Sequence, residues 1–123
     1  MDSKKILIVE DDKQLKSALK DKFEGENFSV VTASDGEEGL EMTKKENPDL
    51  ILIDILLPKI DGISMAKEIK KLNLGTKMIF LTNLGDMQHI ADASDAAFSD
   101  YLVKSDWDID DIVKKVKERL DIK

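Results

Sequence analysis

The chain has no cysteine, which excludes a disulfide framework, a thiol nucleophile and a cysteine-ligated zinc site. The absence of thiols fits a reducing compartment, and a cytoplasmic location is expected. There is one histidine, His89, so no second imidazole is at hand to share a metal. No stretch is apolar for long enough to span a membrane, and the two lysines near the N-terminus precede only a four-residue apolar run, too short for a signal peptide. No basic, aromatic-interleaved patch is present. The lysines and arginine at 114, 115, 117 and 119 are interrupted by acids and read as a solvated helix face. With a formal net charge of -7, the chain repels phosphate backbones, and direct nucleic-acid binding is not expected. Repeats, low-complexity tracts and interdomain linkers are lacking too.

What is present is one domain's worth of patterned chain. Its 123 residues suffice to bury a core without staples, and residues 1–123 are expected to form one domain. Continuous apolar runs at Ile6–Val9, Leu50–Ile53 and Met78–Leu81 suit parallel strands covered on both faces, and Phe28–Val31 and Tyr101–Val103 are shorter runs of the same kind. Amphipathic stretches lie between them. Leu15, Ala18, Leu19 and Phe23 share a helical face, as do Met65, Ala66, Ile69 and Leu72, and the clearest stripe is Ile109, Ile112, Val113, Val116 and Leu120. Residues 36–46 and 86–94 carry weaker helical patterns. Asn47-Pro48 ends the first of these, because a residue before proline avoids the helical region, and Asn73-Leu74-Gly75 reads as a helix stop. Five strands alternating with five helices predict an α/β fold, a doubly wound parallel sheet. The chain stops soon after the fifth helical stripe, so no output domain is expected in it.

In such sheets ligands bind beyond the carboxyl ends of the strands, at the switch point of the strand order. The residues at those ends are chemically pointed. The first strand runs straight into three acids, ILIVEDD (6–12), the third ends in Asp54, the fourth in Thr82 and the fifth in Lys104. Two carboxylates about 4 Å apart repel by roughly 4 kcal/mol at an effective dielectric of 20. A cluster of Glu10, Asp11 and Asp54 must therefore take up a proton or a cation. Hard oxygen ligands favour Mg2+, which accepts one or two carboxylates and keeps positions open for water and phosphate oxygens. Asp12 is expected to cap the following helix, and Asp11 to serve the metal.

These motifs together, ILIVEDD, DLILIDILLPKIDG (49–62), MIFLTN (78–83) and DYLVK (100–104), resemble the response-regulator receiver domain of two-component signalling over essentially the whole chain. The resemblance implies a stand-alone receiver of flavodoxin-like fold, strand order 2-1-3-4-5, whose phosphoacceptor is Asp54. It also implies a Mg2+ site formed by Asp11, Asp54, Glu10 and the backbone carbonyl of Leu56. Lys104 would pair with the phosphoryl group, Thr82 would be the switch hydroxyl and Tyr101 the aromatic switch that follows it. Pro58 and Asp61-Gly62 match the loop and turn after the phosphoacceptor. The implied partners are a histidine kinase or histidine phosphotransfer protein, and a downstream protein reached through the surface of the fourth helix, fifth strand and fifth helix. The implied state is a monomer or a weak, phosphorylation-dependent dimer. The resemblance further implies no enzymatic turnover, but a domain that assists its own phosphorylation and loses the phosphoryl group slowly.

Four departures from the family pattern carry expectations of their own. Ser105 follows Lys104 where proline with a cis bond is usual. A non-proline cis bond costs about 2.5–4 kcal/mol, so Lys104-Ser105 is expected to be trans, with Ser105 capping the fifth helix through the Ser-x-x-acid box SDWD (105–108). Asn83 replaces a small residue beside the phosphoryl pocket; it narrows access or adds a hydrogen bond, or is simply an exposed amide. Leu56 and Leu84 occupy the two positions that tune dephosphorylation, and neither can orient an attacking water. AAFSDY (96–101) replaces a small-residue turn, with Phe98 expected to pack under the fourth helix. His89 is expected on the surface and Trp107 as an anchor at the start of the fifth helix.

Competing readings are weaker on the residues. A Mg2+-dependent phosphohydrolase would need a second acid two residues after Asp54, where Leu56 stands. A flavodoxin-like cofactor binder would need a Ser/Thr/Gly-rich phosphate loop after the first strand, where carboxylates stand. A receiver-like interaction module that is never phosphorylated, and an intermediate in a phosphorelay, are the remaining alternatives.

Overall fold

Alternating apolar runs and amphipathic stretches become strands and helices in the expected order. The computed structural model describes residues 3–55, 57, 59–72, 75–82, 101–103 and 108–121; of Thr82 and residues 101–103 it describes the backbone. The elements are β1 (Lys5–Val9), α1 (Lys13–Gly25), β2 (Ser29–Ala33), α2 (Gly36–Glu46), β3 (Leu50–Asp54), α3 (Gly62–Lys71), β4 (Lys77–Thr82), β5 (Tyr101–Val103) and α4 (Ile109–Arg119). The helix expected at 86–94 lies outside the described residues, so α4 is the fifth helix of the sequence pattern. All strand pairs are parallel, in the order β2-β1-β3-β4-β5. This is the expected doubly wound sheet of flavodoxin-like order.

The two-residue period of a strand sends alternate side chains to opposite faces, and the core divides accordingly. On one face Ile6, Ile8, Leu50, Leu52, Ile79 and Leu81 pack with Leu19 and Phe23 of α1 and Ile112, Val113 and Val116 of α4. On the other, Leu7, Val9, Ile51, Ile53 and Phe80 pack with Met65, Ala66 and Ile69 of α3, and Leu40 and Met42 of α2 are partly buried against them. Phe23 meets Phe28 edge to face at 5.4 Å between ring centroids, an arrangement that adds to simple area burial.

Local differences from the sequence reading have identifiable causes. The second strand begins at Ser29 and runs to Ala33, two residues past the expected end, because its ladder with β1 pairs Ser29 with Lys5 and Ala33 with Val9. Asn47 ends α2 as expected, but in the left-handed region (φ 45°) rather than in extended backbone. Both conformations avoid the right-handed helix before Pro48, and asparagine tolerates the left-handed one. Leu72 does not join the buried face of α3; it is the C-cap, and it is exposed. The capping box of α4 is one turn later than expected. Asp108, not Ser105, is the N-cap, its carboxylate accepting from the Asp111 N–H while Asp111 accepts from the Asp108 N–H. The helix starts at Ile109, so Asp108 is placed to reach its free N–H groups.

Ion pairs join α1 to α4. Lys22 Nζ lies 2.8 Å from Asp110, and Lys117 Nζ pairs with Glu26. The hydrogen bond from Lys117, with its charge, holds the Glu26 carboxyl below the usual range. The bond to Asp110, with its charge, holds the Lys22 ammonium above its usual range. A depressed carboxylate stabilises the fold fully above its ordinary value of 4.5 and loses that contribution as pH falls through the lowered folded value. The raised ammonium contributes fully below 10.5 and loses it as pH rises through the folded value. Glu26→Gln is therefore expected to melt below wild type at neutral pH and together with it at about pH 2. Salt at about 1 M should shrink the neutral-pH gap, because the pair is near solvent. A gap in melting temperature that persisted in acid would contradict this reading.

Candidate functional site

The site grows out of the register of the two central strands. β1 and β3 are neighbours with Val9 opposite Ile53, so the next residues, Glu10 just past β1 and Asp54 at the end of β3, lie side by side. The Glu10 N–H donates to the Ala33 carbonyl at 3.1 Å, which extends the β1–β2 ladder one residue and fixes Glu10 below the rim. Glu10 is wholly buried, and its carboxylate accepts from the Asp12 N–H at 3.1 Å. Asp54 is only 6% exposed, whereas Asp11 faces solvent. Asp12 turns away to cap α1, accepting from the Gln14 and Leu15 N–H groups, as expected.

Glu10, Asp11 and Asp54 thus meet: one carboxylate oxygen from each lies within 4.8 Å of the others. Two oxygens bound to the same Mg2+ at 2.0–2.1 Å are at most about 4.2 Å apart. The cluster therefore has nearly the dimensions of a Mg2+ seat, and its all-oxygen donor set suits a hard divalent cation. Two of the acids, Glu10 and Asp54, are buried in the floor, and Asp11 is exposed at the lip.

The other strand ends are placed by backbone register. Leu81 is paired with Asp54, so Thr82 comes one residue beyond it on the neighbouring strand. Thr82 is in turn opposite Val103, the last residue of β5, and Lys104 follows next in the chain. Tyr101 is opposite Phe80, at the start of β5. Lys104, the carbonyl of Leu56, Pro58, Asn83, Leu84, His89, Phe98, Ser105, Trp107 and the Lys104-Ser105 bond lie outside the described residues.

The loop after Asp54 returns onto its own root. Gly62 N–H donates to the Ile55 carbonyl at 2.8 Å, and a Cβ at Gly62 would stand 2.2 Å from the Asp54 carbonyl oxygen. Asp61 caps α3, accepting from the Ser64 N–H and hydroxyl, each at 2.9 Å. Burial pushes this carboxyl up, but the bonds from Ser64 and Ile63 together hold it below the usual carboxylate range. A second Asp-Gly pair behaves alike: Asp35 caps α2, and a Cβ at Gly36 would stand 1.9 Å from the Ile60 carbonyl oxygen. The sequence reading saw Asp61-Gly62 only as a turn and passed over Asp35-Gly36. The repeated Asp-Gly opening of a helix was the available signal.

Fold and acidic site together define a doubly wound α/β domain with a carboxylate cluster at its switch point. The chain belongs to the response regulator receiver domain family, whose model matches residues 6–117. It is 32% identical over 123 residues to sporulation initiation phosphotransferase F of Bacillus subtilis, covering 100% of this chain and 98% of that protein. It is 38% identical over 100 residues to the probable transcriptional regulator ycf27 of Guillardia theta, covering 81% of this chain and 39% of the relative. Among solved structures, the response regulator TrrA from Thermotoga maritima in complex with Mg(2+)-BeF matches with a TM-score of 0.80 and 36% identity over 94% of this chain and 97% of that one. The chain spans 33–51% of the length of several transcriptional regulators that it matches. Phosphoacceptor signalling, the function class that the sequence resemblance implied, is the function class of this domain. Among the described residues, no helix is long and apolar enough to cross a membrane.

Proposed function

We propose that Asp54 takes a phosphoryl group from the phosphohistidine of a kinase or phosphotransfer protein, at a Mg2+ site held by Glu10, Asp11 and Asp54. The observation that carries this reading is the meeting of the three carboxylates at the switch point, with their oxygens within 4.8 Å of one another. Asp54 attacks phosphorus through a carboxylate oxygen; the O–P bond forms, the N–P bond breaks, and the leaving imidazole keeps the electron pair and takes up a proton. Bound Mg2+ would neutralise charge on the phosphoryl oxygens and on the acids around them. Glu10, Asp11 and Asp54 would hold the ion, with the Leu56 carbonyl as the further ligand that the family resemblance implies. Lys104 pairs with the phosphoryl oxygens, and the Thr82 hydroxyl turns toward the new acceptor. Tyr101 follows, and the surface formed by the segment 86–94, β5 and α4 changes for a downstream protein or for weak self-association. Residues 1–123 act as one receiver domain, in the cytoplasm.

The experiment is the intact mass of the full chain after incubation with a small-molecule phosphodonor, with and without Mg2+. A single phosphoryl gain that needs Mg2+ and is absent from Asp54→Asn is the expected result. No gain in a folded, Mg2+-binding chain would favour instead the interaction module that is never phosphorylated.

The lifetime of that group follows from two apolar residues. At the two positions that the family resemblance implies tune dephosphorylation, Leu56 and Leu84 are apolar, and neither side chain can orient a water for in-line attack. Leu84→Glu or Leu56→Asn is expected to shorten the half-life of the phosphorylated chain, read as decay of the mass gain after the donor is removed. An unchanged half-life in both variants would contradict the assignment.

A further inference from the structure

Among the described residues, the loop that follows Asp54 is held both at its root and at its crown. At the root, Gly62 packs on the Asp54 peptide. At the crown, Ile60 presses its carbonyl on Gly36, and Lys59 reaches across to Asp35, with Nζ 3.7 Å from Oδ2. Lys59 holds a left-handed backbone, φ 68°, which costs a residue with a Cβ some free energy and persists where the surrounding contacts fix it. Asp35 is committed on its other side as well, its Oδ1 accepting from the Glu38 N–H at 2.8 Å as the cap of α2. The turn that carries Asp35 is itself tied to the sheet rim, because Ala33 accepts from the N–H of Glu10. A continuous set of contacts thus runs from Glu10 through the β2–α2 turn to the crown of the Asp54 loop.

We infer that Lys59 is a positioning residue, which through Asp35 fixes the loop after Asp54 and so the spacing of the metal-holding groups. The inference rests on the proposed Mg2+ seat. Positioning and simple charge make opposite predictions for Lys59. Removing a positive charge from the chain would tighten the binding of a cation if only charge mattered. Loosening the loop would weaken it. The effect is modest, since the Lys59 side chain is 60% exposed and exposed pairs contribute little.

The test is Mg2+ affinity by isothermal titration calorimetry on the full chain, with melting curves in EDTA to check folding. The variants are Lys59→Gln, Lys59→Arg, Asp35→Asn and the Lys59→Gln/Asp35→Asn double. Asparagine keeps the helix cap while removing the charge. Lys59→Gln and Asp35→Asn are each expected to weaken Mg2+ binding about threefold, the scale of a partly exposed ion pair. The double variant should be no weaker than either single one, and Lys59→Arg should bind like wild type. Unchanged or tighter binding in Lys59→Gln, or effects that add in the double variant, would overturn the inference while leaving the seat intact. Absence of Mg2+ binding in wild type would overturn the seat itself, and the inference with it.

Discussion

Asp54→Asn is expected to abolish phosphorylation and at the same time to make the Mg2+-free protein more stable. Asp54 is buried beside Glu10, which is wholly buried, and beside Asp11. Without a cation, folding brings these carboxylates together against a repulsion of roughly 4 kcal/mol per close pair at an effective dielectric of 20. The full figure is not recovered, because neighbouring dipoles and water already offset part of it. A gain of about 1–2 kcal/mol, or roughly 4–8 °C in melting temperature for a domain of this size, is the expected scale. Mg2+ acts on the same repulsion. At a hundredfold excess over its dissociation constant it should stabilise wild type by about 2.7 kcal/mol, and Asp54→Asn by clearly less. Thermal melting of both proteins with EDTA and with Mg2+ reads all four states. An Asp54→Asn variant that melted below wild type in EDTA would mean that Asp54 is held by bonds stronger than the repulsion, and the strained-seat account would fail.

The second large effect is steric. Gly62→Ala is expected to cost about 3 kcal/mol, at the upper end of over-packing penalties, because the new Cβ would lie 2.2 Å from the Asp54 carbonyl oxygen and 2.9 Å from Ile55 Cα. Both obstacles are backbone, so no side chain can swing aside; the loop must move away from the root of Asp54. The variant should accordingly lose Mg2+ affinity as well as stability. Gly25→Ala, at the end of α1, is the contrasting case, since a Cβ there meets nothing within 4 Å. It should be neutral, or stabilising by up to about 1 kcal/mol from helix propensity. Urea denaturation of the two variants checks the pair. Equal stabilities would show that the close approach at Gly62 imposes no constraint.

The sheet was legible because its strands are buried on both faces. ILIV, LILI and MIFL can be little else when helical stripes separate them, and the register that gathers Glu10 and Asp54 follows from placing those runs side by side. The acids were legible because three carboxylates beside a core need an electrostatic reason. What the sequence hid depends on contacts between segments distant along the chain. Lys59 and Asp35 are ordinary charged residues until the β3–α3 loop lies on the β2–α2 turn. The helix cap at Asp108 competed with an equally good Ser-x-x-acid spacing three residues earlier, and only packing of the Ile112, Val113 and Val116 face on the sheet selects the register. Leu72 fits the helical period, but α3 ends before that period can bury it.

The central claim, that Asp54 is the atom-level acceptor, is tested most directly by finding where the phosphoryl group sits. An acyl phosphate is reduced by borohydride, which converts a phosphorylated aspartate to homoserine, and peptide mass spectrometry then locates the change. Conversion at position 54 alone, dependent on Mg2+ during labelling, is the result predicted here. Conversion at Asp11 or elsewhere, or a phosphoryl group that survives borohydride on a serine, threonine or histidine, would contradict it.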